Sequence, residues 1–296
     1  MSAVHATVLK AETIAFLAPR AGGVYCDATL GRGGHAEAIL EASAPDGRLY
    51  AIDRDSQALD ESRERLSRFG DRVRWVHGRF GDVRALMQME NAPLLDGLVA
   101  DLGVSSPQLD EADRGFSFRS EGPLDMRMDR SEGRTARELI AELSERELAD
   151  VIYQYGEERR SRPIARAIKQ AEERGELATT ADLRRACVRV LGPARGGIDP
   201  ATRTFQALRI AVNEELSELD ALLAALPHVL ADDGVAVLIS FHSLEDRAVK
   251  LALRDAKDLS ALTKKPVIAG DEESDANPRA RSAKLRAARR NARGAS

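Results

Sequence analysis

Short apolar stretches alternate with segments of helical spacing over the first hundred residues, and this alternation constrains the chain more than any other feature. Val24–Thr29 is an apolar run ending at Asp27-Ala28-Thr29, followed by the glycine cluster Gly31-Arg32-Gly33-Gly34. His35–Ser43 then reads as a helix, Arg48–Asp53 as a second buried strand and Gln57–Arg68 as a helix. Val73–His77 is a third strand and Leu95–Leu102 a fourth. Strands separated by helical segments pair in parallel through right-handed crossovers. The expected fold class is therefore α/β, a doubly wound, Rossmann-like sheet.

The alternation stops after the fourth strand. Between Leu109 and Arg203 no buried strand is visible; Ala136–Tyr155, Ser161–Glu173 and Thr180–Leu191 read as polar amphipathic helices parted by glycine and proline. A long helix, Phe205–Leu226, follows, and a turn at Asp232-Asp233-Gly234 leads into a fifth apolar strand, Val235–Ser240. The simplest organisation is a discontinuous sheet domain, 1–108 and 206–296, with a helical domain, 109–205, inserted after strand four.

Gly31-x-Gly33-x-x-Ala36 fits a nucleotide-binding turn that opens a helix. Glycine allows the tight turn and a close backbone approach to a ligand, and the helix N-terminus favours negative charge. Asp53 ends the second strand, about 20 positions beyond the loop, where a carboxylate accepts ribose hydroxyls. This pair does not choose between NAD and S-adenosylmethionine, since both present an adenosine ribose there. Asp27, Asp53 and Asp101 all end strands, however, and such an acidic rim suits a sulfonium cation better than a pyrophosphate.

Composition excludes several classes. Charged residues make up 31% and apolar residues 43%, with a net charge of −4, which argues against a nonspecific nucleic-acid binder. No apolar run approaches the roughly 18 residues of a membrane span; the longest, Ala221–Ala231, is broken by Pro227 and His228. No secretory signal is visible, and the two isolated cysteines, Cys26 and Cys187, suit a reducing compartment, so a cytoplasmic protein is expected. Seven basic side chains and no acid lie between Arg279 and Ser296. This tail reads as a phosphate-contacting arm or as a solvated terminus, and charge alone does not separate the two.

Ten stretches in one order, spread over nearly the whole chain, resemble the MraW-type family of bacterial 16S ribosomal RNA methyltransferases, which act on a cytosine exocyclic amine. They are H-A-T-V-L at His5–Leu9, T-L-G-R-G-G-H at Thr29–His35, D-L-G-V-S-S-P-Q-L-D at Asp101–Asp110, R-G-F-S-F at Arg114–Phe118 and G-P-L-D-M-R-M at Gly122–Met128. Y-G-E-E-R at Tyr155–Arg159, P-A-T-R-T-F-Q-A-L-R-I at Pro200–Ile210, N-E-E-L at Asn213–Leu216, S-F-H-S-L-E-D-R at Ser240–Arg247 and N-P-R-A-R-S-A-K-L-R at Asn277–Arg286 complete the set.

The resemblance implies a class I S-adenosylmethionine-dependent fold and methylation of a decoding-centre cytosine at N4 within the small ribosomal subunit. It assigns Gly33, Gly34, His35, Asp53, Phe80, Asp101 and Gln108 to the cofactor, with Asp101 also the acceptor for an amine proton. Without it, Phe80 reads as core packing and His35 as a helix-start polar group. Ser105, Ser106, His242, Arg279, Arg281, Lys284 and Arg286 would face RNA, and a homodimer is compatible. Ser243 followed by Asp246 also fits an ordinary helix cap. The chain has Asp-Leu-Gly-Val where many amino-methyltransferases carry Asn/Asp-Pro-Pro-aromatic, so the stacking partner of the base is open among Phe116, Phe118 and Phe241. Periodicity reads Ala283–Arg290 as a helix, whereas a methyltransferase sheet needs a final antiparallel strand there.

Competing chemistries fit worse. Carbon-5 methylation needs a cysteine nucleophile, and zinc deamination needs paired cysteines beside the His35-Ala36-Glu37 that is present by coincidence. No metal constellation is seen. An NAD-dependent oxidoreductase rests only on the glycine loop and Asp53, and a non-catalytic RNA-binding assembly factor only on the basic tail.

Overall fold

A computed structural model describes residues 7–194 and 197–292; His5 and Ala6 of the first motif and Arg293 of the tail lie outside it. In chain order, α1 (Lys10–Leu17) precedes β1 (Val24–Asp27), α2 (Gly34–Ala42), β2 (Arg48–Asp53), α3 (Ser56–Leu66), β3 (Val73–His77), α4 (Val83–Met89) and β4 (Leu95–Asp101). The helices α5 (Ser106–Asp110), α6 (Ala136–Glu142), α7 (Glu145–Gly156), α8 (Ser161–Glu173), α9 (Thr180–Leu191) and α10 (Thr202–Asn213) follow. Then come α11 (Glu215–Val229), β5 (Leu230–Ser240), α12 (Ser243–Asp255), β6 (Leu259–Ala261), α13 (Asp271–Ala276) and β7 (Lys284–Arg290). The chain divides into two compact units, 1–103 with 216–296 and 104–215, the second wider at both ends than 109–205.

The first unit is built on a seven-stranded sheet of order β3-β2-β1-β4-β5-β7-β6. The pairs from β3 to β5 are parallel, and β7 runs antiparallel to both β5 and β6. Strands buried on both faces carry continuous apolar runs, and alternate residues feed two separate cores. Cys26, Ile52, Leu98 and Ala100 pack with residues of α4, α11 and α12 on one face. Tyr25, Ala51, Val99 and Val237 pack with α1, α2 and α3 on the other. This is a doubly wound, Rossmann-like α/β sheet, with the antiparallel final strand that the resemblance requires.

The C-terminal segment corrects the helical reading of Ala283–Arg290. Lysine, leucine, arginine and alanine favour helix locally, but β7 pairs on both sides, and Leu285, Ala287 and Ala288 are fully buried. Burial and pairing with two strands override that propensity. The basic tail is accordingly not a free arm up to Asn291. Arg286 is only 6% exposed and donates to Asp246 at 2.7 Å, while Lys284 approaches the same carboxylate at 3.4 Å.

Three smaller corrections concern helix and strand limits. Phe205–Leu226 is two helices, broken where Glu214 adopts a left-handed φ of 55°. Ala136–Tyr155 is also two, because Ser144 caps α7 with Glu147 in a reciprocal capping box. The turn at 232–234 is an irregularity inside the longer strand β5, with Asp233 at a φ of 64° and a register shift between Leu95 and Gly97 on its partner.

The unit 104–215 is a helical bundle with its own core, including Ile140, Leu148, Ile152, Ile164, Ile168, Leu183 and Leu208. Phe118 meets Phe205 edge-on at 5.0 Å, and Phe116 is 6% exposed. Asn213 ties α10 to the loop that precedes α6, accepting from Met128 N–H and donating to Met126 C=O, each at 2.8 Å. Both aromatic candidates in this unit therefore belong to its core.

Candidate active site at the carboxyl tips of β2, β1 and β4

Three carboxylates end three neighbouring strands. Asp27 pairs in register with Ala51 and Val99, and Asp53 and Asp101 lie two residues beyond those partners. A spacing of two keeps side chains on one face, so all three acids share the side on which α2 and the glycine loop lie. Asp27 is 1% exposed, and its Oδ1 accepts the Thr29 N–H at 3.2 Å while Oδ2 has no hydrogen-bond partner among the described residues. Asp101 anchors through its N–H to Thr29 Oγ1 at 2.6 Å, and its Oδ1 is likewise buried and unpartnered.

Burial governs the titration of this group. It raises Asp27 to about 7, against the amide of Thr29 and, more weakly, that of Ala36, with Asp101 and Asp53 adding repulsion. It raises Asp101 to about 7 as well, where Arg279 pulls the value down and Glu245 pushes it up. Asp53 rises to about 6, again by burial, opposed by the amides of Asp55 and Gly31. Desolvation plus like charge is the pattern of a functional site, and carboxyl oxygens without donors are what a cationic ligand would satisfy.

Asp53 already serves the fold. Its Oδ2 accepts Gly31 N–H and its Oδ1 accepts Asp55 N–H, both at 2.8 Å. Each carboxylate oxygen offers two lone pairs, so one acceptor position per oxygen stays available for a ribose. Phe80 sits just past β3, partly buried against the core, beyond the His77 that pairs with Asp53. The loop itself needs its glycines. Gly33 has a φ of 73°, and a Cβ on Gly34 would lie 1.8 Å from Thr7 Oγ1. His35, 4% exposed, is held neutral: burial lowers it to about 4, helped by Lys10. Neither ring nitrogen has a hydrogen-bond partner among the described residues, and Nε2 stands 3.8 Å from Asp101 Oδ2.

The loop after β5 is organised by Glu245, which is 2% exposed and accepts the Phe241 N–H at 2.8 Å. His242, not Ser243, is the N-cap of α12: its Nδ1 accepts from Glu245 N–H, and its Nε2 lies 3.2 Å from Glu245 Oε1. The cap therefore sits one residue before the Ser243 that the sequence pattern suggests. Arg279 lies over the Phe241 ring at 5.5 Å, and a Cβ on Gly103 would touch that ring at 3.7 Å.

The structure thus gathers Gly33, Gly34, His35, Asp53 and Asp101 at one sheet edge, with Phe80 beyond β3. Ser105 and Gln108 belong to the helical unit, where Gln108 Oε1 accepts Ser105 N–H at 3.0 Å at the start of α5. Ser106 begins that helix. Arg286 is removed from the RNA-facing set by its burial against Asp246 and Lys284 is largely engaged there, whereas Arg281 remains exposed. Residues missed from the sequence are Ser62, whose hydroxyl donates to Gly31 C=O at 2.6 Å, and Thr7. The signal for Ser62 was its place in the buried stripe Leu59, Ser62, Leu66 of α3.

The arrangement fits S-adenosylmethionine: unpartnered buried carboxyl oxygens for a cation, acceptors for a ribose and a glycine turn for close approach. It does not fit cysteine chemistry. Burial raises Cys26 well above the ordinary thiol range and Cys187 to about 12, and thiols so placed are inert.

Comparison with known proteins agrees. A model of the MraW methylase family matches residues 2–291. The ribosomal RNA small subunit methyltransferase H of Sorangium cellulosum is 62% identical over 287 residues, covering 97% of this chain and 90% of that one. Its namesake in Nitrobacter hamburgensis is 51% identical over 97% of this chain and 91% of its own length. That of Cyanothece sp. is also 51% identical, over 97% and 95%. From its glycine turn to its last strand, this chain belongs to the MraW methylase family.

Proposed function

We propose that this protein is an S-adenosylmethionine-dependent methyltransferase of small-subunit ribosomal RNA, acting on the exocyclic N4 amine of a decoding-centre cytosine in 16S rRNA. The observation that carries the reading is the row Asp53, Asp27, Asp101 on adjacent strand tips, two of which keep a buried oxygen without a hydrogen-bond partner among the described residues. A dinucleotide would press its pyrophosphate against the same acids, which disfavours NAD.

Asp53 would hold the ribose, Phe80 would flank the adenine, and Asp27 with Asp101 would face positive charge. When bound, S-adenosylmethionine supplies an electrophilic methyl group. Asp101 does the work toward the acceptor. A cytosine amine is a weak nucleophile because its lone pair is delocalised into the ring, and an acceptor that holds its N–H lets it pyramidalise. With a pKa raised to about 7, Asp101 is also able to take the proton the amine gives up. Reaching the pocket requires an unstacked base. Phe241, carrying Arg279, is the stacking candidate that lies in the same unit as Asp101. The helical unit 104–215 and exposed arginines such as Arg281 would grip the surrounding RNA.

The test is incubation with methyl-labelled S-adenosylmethionine and either naked 16S rRNA or assembled small subunits, followed by digestion to nucleosides. Label in N4-methylcytidine is expected; label in another nucleoside, or none with either substrate, contradicts the reading.

A further inference from the structure

Helix α3 places a serine in its apolar stripe. Ser62 is 1% exposed, between the buried Leu59 and Leu66. A hydroxyl so buried needs a partner, and it finds the carbonyl of Gly31 at 2.6 Å. The N–H of the same glycine donates to Asp53 at 2.8 Å. Both polar groups of the Gly31 backbone are therefore held, one from each end of the segment 53–62. Asp53 in turn accepts from Asp55, whose side chain caps α3 by accepting Gln57 N–H at 3.1 Å. The hydrogen bonds form a closed circuit through the glycine loop, the tip of β2 and the first two turns of α3.

The next turn extends the clamp. Arg65 donates to the Arg32 carbonyl at 3.3 Å and to Glu37 of α2 at 2.6 and 2.9 Å. Leu66 lies 3.3 Å from where a Cβ on Gly33 would stand. Ordinary loop packing would need apolar contact here, not a buried hydroxyl aimed at the carbonyl of the turn residue.

We propose that Ser62 is a positioning residue for the cofactor: its hydroxyl fixes the Gly31 peptide, and so sets both the glycine turn and the aim of the Asp53 carboxylate. This rests on the reading that the strand-tip site takes S-adenosylmethionine. Ser62 touches no reacting atom, so its effect belongs to cofactor binding and not to the chemical step.

The experiment compares wild type, Ser62→Ala, Ser62→Cys and Leu59→Ala, with S-adenosylmethionine varied at saturating RNA and its affinity measured by calorimetry. Loss of one hydrogen bond predicts a KM and Kd for S-adenosylmethionine raised about 3- to 10-fold in Ser62→Ala. Its kcat and its KM for RNA stay within about twofold. Ser62→Cys, a weaker donor of similar shape, falls between. Leu59→Ala unfolds at a lower temperature and leaves the KM for S-adenosylmethionine unchanged. Wild-type values in Ser62→Ala, or an equal rise in Leu59→Ala, overturn the role. Wild-type protein that binds no S-adenosylmethionine overturns the cofactor reading itself, and the role with it.

Discussion

The helical unit and the strand tips of the sheet unit treat their carboxylates in opposite ways. In the helical unit, Glu138 accepts from the backbone and hydroxyl of Thr135, and Glu147 from the hydroxyl and backbone of Ser144; both are held below the usual carboxylate range. Asp182, against a burial cost, is held low by the amides of Thr179 and Ala178. Asp125, also against burial, is held low by Arg127, which grips it through two nitrogens at 2.8 and 3.0 Å. At the strand tips, Asp27, Asp53 and Asp101 are buried with too few donors and are pushed up. Acids in the first set support their own helices or, for Asp125, the loop before α6. Those in the second oppose folding while ionised, and they are explained by a ligand that repays them.

The largest effect that sharpens this contrast is expected from Asp101→Asn. Methyl transfer should fall by two or more orders of magnitude, while the unliganded protein unfolds at an equal or higher temperature, since a buried charge is removed. An inactive but destabilised variant would place Asp101 with the supporting acids instead.

Next in size is Asp246→Ala. Asp246 lies in the sheet unit but behaves like the supporting acids, and removing it strands the Arg286 guanidinium. A loss of about 3 kcal/mol in denaturant unfolding is expected; a loss under about 1 kcal/mol would mean the pair is effectively solvated. For the same reason, truncation after Ala276 removes β7 and tests the fold, not an RNA-binding arm.

The pH dependence should have opposite signs at the strand tips and in the helical unit. Raised acids cost stability above their folded values near 7 and 6, and that cost is relieved as pH falls toward the unfolded value near 4. Depressed acids stabilise above the ordinary carboxylate range, and that support is lost as pH falls through their lowered values. Between pH 8 and 5, protection from hydrogen exchange, corrected for the intrinsic rate at each pH, should therefore rise at the tips of β1, β2 and β4 and stay level in α6 and α7. S-adenosylmethionine affinity should weaken toward acid, by up to about tenfold per unit for one competing proton. Affinity independent of pH across that window would break the comparison.

The smallest effect is Ser144→Ala, expected to cost about 1 kcal/mol in denaturant unfolding and to leave the KM for S-adenosylmethionine unchanged. A changed KM would couple the cap to the cofactor site.

Much of this contrast was legible in the sequence, for physical reasons. Asp53 and Asp101 end apolar runs too short and too branched for helices, so their place at strand tips follows from local pattern. Strand β7 was not legible, because its alanines and basic residues are helix formers and its pairing partners are distant in sequence. The break at Glu214 has no signal, since a glutamate in the left-handed region resembles any other helical glutamate. Ser62 stands in the apolar stripe with Leu59 and Leu66, but a serine there names no role until the carbonyl it serves is seen. Arg286 misled for the opposite reason: charge count sees seven cations in a tail, and only the fold reveals which are spent on Asp246.

A crystal structure of the complex with S-adenosylmethionine tests the central claim most directly. The ribose is expected on Asp53 and the sulfonium side of the ligand toward Asp27 and Asp101. Ligand bound away from the tips of β1, β2 and β4, or with its phosphate-free chain turned from both acids, would contradict it.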